Sequence, residues 1–305
     1  MRFGLTRKQL TPVPDGHRPS IGPALHQALR TEIQRTLKRL ARLRIRPLDV
    51  HQSRVSVKRC RALAKLMLHE PAESVAALDR ALRDANRALS AGRDAHVLND
   101  TLRLLVERGK LDLKLKRFSH PPEELKNAAV AASVQLEAAL ALVPSPIALA
   151  GLSAADAVEA MRRVYRDGRQ RWRGAERSGA DEDYHDVRKD TKALAYQLEW
   201  LAELLPLAEL REDLVELGKL LGRDHDVVLA RVQMDAGAVP LPPETLAVLD
   251  QIARKLLKKT RRRTRAVQQR CLAESGAAFA LRLQNALLEA LLGPVPAPPV
   301  PVTDA

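Results

Sequence analysis

Two stretches of the chain carry the residues best suited to chemistry. In VHQSRVSVKRCRALAKL, residues 50–66, His51, Arg54, Lys58, Arg61 and Lys65 recur at i, i+3, i+7, i+10 and i+14. At 3.6 residues per turn they fall within an arc of roughly 80° on one helix. In DYHDVRKDTKALAYQLEW, residues 183–200, His185, Arg188 and Lys192 repeat the first part of that spacing. Arginine offers a planar fork to phosphate oxygens, lysine a compact charge, and histidine a donor that gains charge beside an anion. Cations stacked three or four positions apart repel, and a polyanion lying along them relieves the strain. The second line is shorter, because Ala195 and Glu199 stand where the first has Arg61 and Lys65.

A catalytic chemistry competes with this one. His185-Asp186 and His225-Asp226 are HD dipeptides, and all-helical phosphohydrolases use spaced His and Asp ligands to hold a metal that activates water. Their counterparts in the first half are His51-Gln52 and Ala95-His96, so the dipeptide does not recur, and no further ligand spacing accompanies it. Cys60 and Cys271 form no CxxC, which argues against a zinc site or a disulfide framework. The chain lacks a Gly-rich phosphate loop, a dinucleotide fingerprint and a serine nucleophile elbow. No catalytic residue, metal or cofactor is expected.

The elements that must position these side chains are helices. Val55, Ala62 and Leu66 border the first basic line on one side, and Val50, Val57 and Leu68 on the other. A surface helix has one apolar face; a basic seam between two apolar flanks predicts a groove between packed helices. Helical period recurs along almost the whole chain without strand alternation. It predicts helices over 20–43, 49–69, 72–91, 94–109, 121–143, 153–176, 182–205, 208–221, 223–233, 243–274 and 276–292. Gly92 and Gly222, each in a GRD triplet, are read as helix ends, with Asp94 and Asp224 opening the next helix. Further cations lie at helical spacing: Arg35 and Arg39 on the first helix, Arg166 and Arg169 on its counterpart, and Lys255, Lys259 and Arg262 in KLLKKTRRRTR. These join the candidate binding residues, although a charge run is usually a solvated face.

Composition narrows the partner. Among 305 residues, 51 Lys+Arg against 37 Asp+Glu leave a formal charge of +14, a field that attracts nucleic acid, anionic membrane or polymeric phosphate. Only 3% are aromatic, which disfavours single-strand recognition by stacking. The most apolar stretch is interrupted by Glu137 and prolines, so no membrane partner is expected. The opening residues lack a signal-peptide core, and a cytoplasmic location is expected.

Two motif pairs recur in order. His51, Arg54 and Lys58 match His185, Arg188 and Lys192 at an offset of 185 − 51 = 134, and GRDAHV at 92–97 matches GRDHDV at 222–227 at 222 − 92 = 130. They predict an all-α fold of two similar helical halves, about four or more helices each, joined near residue 145 as an internal repeat. The division expected is an N-terminal extension at 1–19, half-bundles at 20–145 and 146–292, and a Pro-rich disordered tail at 293–305.

The ordered set VHQSRVSVKRCRAL, GRDAHV, YHDVRKDTKALAYQLEWL and LGKLLGRDHDVV resembles the CHAD domain, the conserved histidine α-helical domain, over residues 20–292. The resemblance implies two helical bundles related by pseudo-twofold symmetry around a basic groove that binds inorganic polyphosphate, association with polyphosphate granules, and no catalysis. Carried over by position, it picks out His51, Arg54, Lys58, Arg59 and Arg61, then His185, Arg188, Lys189 and Lys192, with Tyr165, Arg166 and Arg169 on the preceding helix. Ala195 stands where the family usually has arginine. The expected function is polyphosphate binding; the alternatives are a nucleic-acid-associated basic protein and a metal-dependent phosphohydrolase.

Overall fold

The structure, a computed structural model, describes residues 3–10, 20–116, 118–119 and 121–292, with the side chains of 91–94 and 292 left aside. The expected Pro-rich tail and most of the N-terminal extension lie outside the described residues. Ten α-helices follow a 3₁₀ turn at Arg7–Gln9: α1 Gly22–Leu40, α2 Pro47–Ala64, α3 Ala72–Ala88, α4 Ala91–Gly109, α5 Pro122–Ala141, α6 Ala154–Ser178, α7 Asp181–Trp200, α8 Ala208–Asp235, α9 Pro243–Cys271 and α10 Gly276–Leu292. The fold is all-α; no strand occurs among the described residues.

Local chemistry starts and stops the helices. Proline occupies the first turns of α2, α5 and α9, where its missing N–H costs nothing. Ser153 and Asp156 close a capping box at α6, with Ser153 N–H donating to Asp156 Oδ2 at 2.8 Å. Gly179, at φ 67°, ends that helix.

Helices α1, α2, α3 and α5 pack as one bundle and α6 to α10 as another, and α2 against α7 joins them. One core runs through both, from Leu25, Ile33 and Leu63 to Tyr165, Trp200 and Leu217. The bundles also meet at their leading edges. Ser20, before α1, and Ser153, before α6, face each other in an antiparallel bridge, and Ile21 N–H donates to Leu152 O at 2.9 Å. A Cβ on Gly22 would lie 1.7 Å from Leu149 O, so this approach admits only glycine.

Two sequence expectations change here. The segments 208–221 and 223–233 are one helix, because Leu220 and Leu221 before Gly222 and Val227 after it bury on continuous packing. That burial outweighs the ~1 kcal/mol by which a mid-helix glycine disfavours helix. Gly92 ends no helix; it lies in the first turn of α4. Packing also crosses from α4 to the later helices. Leu102 and Leu105 of α4 form a second core with Val227 and Met234 of α8 and Leu249, Ala253 and Leu256 of α9.

Candidate functional site

Where α2 meets α7, a cavity of about 620 Å³ opens to solvent. From α2 it takes Arg54, Lys58 and Arg61, and Lys65 just past the helix end. From α7 it takes His185, Arg188, Lys189 and Lys192; α6 adds Arg171 and α8 adds His225. Eight Lys and Arg side chains therefore face two carboxylates, Asp79 and Asp190.

Most of these cations are held in place. Arg54 is buried, and its Nη1 donates to Asn86 O at 2.6 Å and Ser90 Oγ at 2.8 Å, at the end of α3. Arg188, equally buried, lies across α8: a Cβ on Gly222 would sit 3.5 Å from its Nε and Nη2. Arg188 thus rests against the GRD triplet of its own half. Arg61 donates Nε and Nη2 to the two oxygens of Asp79 at 2.8 and 3.1 Å. Lys65 Nζ donates to Asp190 Oδ1 at 3.3 Å, and Arg171 bonds Oδ2 of the same carboxylate.

His185 and His225 lie ring against ring, centroids 4.1 Å apart and planes tilted by 31°. Burial pushes His185 down to about 4, and Lys189, Arg188 and Lys58 push the same way against Asp186. Its imidazole is neutral at pH 7, and its Nδ1 is buried without a hydrogen-bond partner. The fold thus brings the two HD dipeptides together through their histidines. Asp186, however, accepts from Lys189 Nζ at 2.6 Å. Among the described residues, no three His, Cys, Asp or Glu side chains gather as metal ligands.

The remaining candidates lie elsewhere. His51 is exposed at the start of α2, outside the cavity. Arg59 stacks over Phe3, 4.4 Å from its ring centroid, and donates to Glu199 at 2.6 Å. Arg35 lines a separate hollow with Phe3 and Trp200. Arg39 sits near Glu32, Arg42 and Asp49, its pKa lowered chiefly by burial. Arg166 pairs with Asp167, and Arg169 donates to Ala273 O at 3.0 Å. Tyr165 stacks on Phe279 in the core, centroids 4.0 Å apart. Lys255, Lys259 and Arg262 are exposed on α9.

Asp224 does not open a helix. It lies inside α8, 2% exposed, and accepts from Arg261 Nε at 2.8 Å. Arg261 reaches on to Gly179 O and Asp181 and lies over the Tyr184 ring. Burial raises the Asp224 carboxyl, and Arg261 limits the rise. Sequence reasoning left out Arg171, Asp79 and Asp190, and weighed His225 only as a metal ligand. One signal was legible: Asp190 is an acid inside the basic stretch VRKDTK.

A family model described as the CHAD domain matches residues 24–235. The crystal structure of the CHAD domain from the plant Ricinus communis is similar over 92% of this chain and 96% of that one, with a TM-score of 0.55 and 22% sequence identity. No curated protein matches the chain.

Proposed function

Since the chain belongs to the CHAD domain family, we propose that it is a nonenzymatic module that cradles inorganic polyphosphate in the groove between α2 and α7. One observation carries this reading: eight cations from three helix regions converge on one cavity with two carboxylates among them. A phosphate polymer presents a dense, unbranched row of anionic oxygens, which such a surface matches without reading a base. Arg54, Lys58, Arg61, Arg188, Lys189 and Lys192 supply the contacts, and the paired His185 and His225 gain protons against the polyanion. Among the described residues lining the groove, Tyr196 is the one aromatic apart from those histidines, which gives little stacking platform to a nucleic acid. Binding of this kind suits attachment to polyphosphate granules.

Titration calorimetry of a long-chain polyphosphate over a salt series tests the reading, with duplex DNA at equal phosphate as competitor. Wild type is expected to bind polyphosphate with a steep salt slope and to resist displacement by DNA. The K58A/K192A variant is expected to bind at least tenfold more weakly, its slope reduced by about two, one for each contact removed. Equal preference for DNA, or an unchanged variant, defeats the proposal. Phosphate release on adding Mg²⁺ or Mn²⁺ would support the phosphohydrolase alternative instead.

A further inference from the structure

The two groove carboxylates differ in a way that polyanion binding alone does not require. Asp190 is 2% exposed, with one oxygen on Lys65 and the other on Arg171. It sits on α7 and ties the end of α2 to α6. Its side chain is also confined from behind: a Cβ on Gly168 of α6 would lie 3.2 Å from Asp190 Cβ. A carboxylate engaged at both oxygens and packed at its stem cannot swing away, so it fixes where its two cations point.

Asp79 has the opposite setting. It stands on α3 at the groove's edge, its side chain 31% exposed and that of Arg61 30% exposed. Its two oxygens occupy the Nε and Nη2 donors of Arg61, the geometry in which a phosphate would bind the same fork. A half-solvated pair of this kind is worth little in itself. An incoming anion of sufficient charge density can take the fork, and Asp79 has open solvent to move into.

We infer that Asp190 is a positioning residue that sets Lys65 and Arg171 for the polymer, and that Asp79 is a built-in competitor for Arg61 that raises the charge density an anion needs to enter. The inference rests on the polyanion-binding reading of the groove. It makes Asp79 a determinant of specificity: a chain of directly joined phosphates displaces it, and duplex DNA, in which a sugar separates the phosphates of each strand, does so less well.

The signs of two substitutions separate this from simple charge. Each of Asp79→Asn and Asp190→Asn makes the groove one unit more positive, so charge alone predicts tighter binding in both. The division of roles predicts opposite shifts. Asp79→Asn is expected to tighten polyphosphate binding about twofold to fivefold, and duplex DNA binding by more, narrowing the preference between them. Asp190→Asn is expected to weaken polyphosphate binding about tenfold with a shallower salt slope. In a K65A/R171A background Asp190→Asn should no longer weaken binding, a non-additivity that general loss of packing would not produce. Gly168→Ala, which crowds Asp190 and changes no charge, should also weaken binding, and it serves if Asp190→Asn does not fold. Titration calorimetry with polyphosphate and with duplex DNA, alongside melting curves for each variant, reads all of these. Tighter binding by Asp190→Asn, or looser or unchanged binding by Asp79→Asn, overturns the inference while wild type still prefers polyphosphate. A wild-type chain without that preference overturns the functional reading itself, and the inference with it.

Discussion

His185 shows how one side chain in the groove ties pH to folding. A histidine in the unfolded chain titrates near ~6.5, whereas burial and the neighbouring cations hold His185 at about 4 in the fold. Between those values the unfolded chain binds a proton that the folded chain refuses. Its contribution to stability is therefore complete above pH ~6.5 and is lost progressively as pH falls towards 4, with no further loss below. Melting temperatures of wild type and His185→Gln, followed from pH 7 to 4, check this. Wild type should decline more steeply, and parallel curves would refute the assignment. Gly222 makes a companion point about size. The Arg188 guanidinium rests against it, 3.5 Å from where a Cβ would stand, so a small residue in α8 lies beneath a groove arginine of α7.

At the scale of elements, the buried ion pairs decide how the helices are locked around the groove. Arg261 of α9 ties Asp224 of α8 to Gly179 and Asp181 at the start of α7. Burial pulls the guanidinium's pKa down, but its hydrogen bonds to Asp224 and Asp181 outweigh this and raise it overall. Removing one partner of a buried pair strands the other charge, at a cost of about 3–5 kcal/mol. Arg261→Gln is accordingly expected to destabilise the chain by about 3 kcal/mol, the low end of that range, since the Arg261 side chain is 23% exposed. The double variant D224N/R261Q should recover a large part of that loss. Urea unfolding of both measures it, and a double variant no more stable than the single one would show that Asp224 carries no stranded charge.

Across the whole molecule, charge acts beyond the groove. The formal charge of +14 is spread over many helices, and exposed Lys255, Lys259 and Arg262 on α9 belong to this field without lining the cavity. Long-range attraction raises the rate of encounter with a polyanion, and short-range contacts set its release. Replacing the three by glutamine should lower the association rate for polyphosphate severalfold at low salt and leave the dissociation rate unchanged. Stopped-flow measurements over an ionic-strength series decide it. A faster dissociation would place these residues in contact with the polymer. No helix among the described residues is long and apolar enough to cross a membrane.

Much of this was written in the sequence, because it depends on local periodicity. The 3.6-residue period gave the helices, the prolines their starts, and the spacing of Arg54, Lys58 and Arg61 a basic line between apolar flanks. The ordered motifs carried the family. Tertiary packing decided what periodicity cannot reach. It ran α8 through Gly222, since burial on both sides outweighs one glycine's preference. It turned His51 to solvent and kept Arg54 and Lys58 in the groove, although all three lie on one line of one helix, because α7 covers only part of α2. It set Arg59 on Phe3 and Glu199. It also drew Arg171, Asp79, Asp190 and His225 to the cavity from four separate helices, a convergence set by side-chain packing between helices and not by spacing along any one of them.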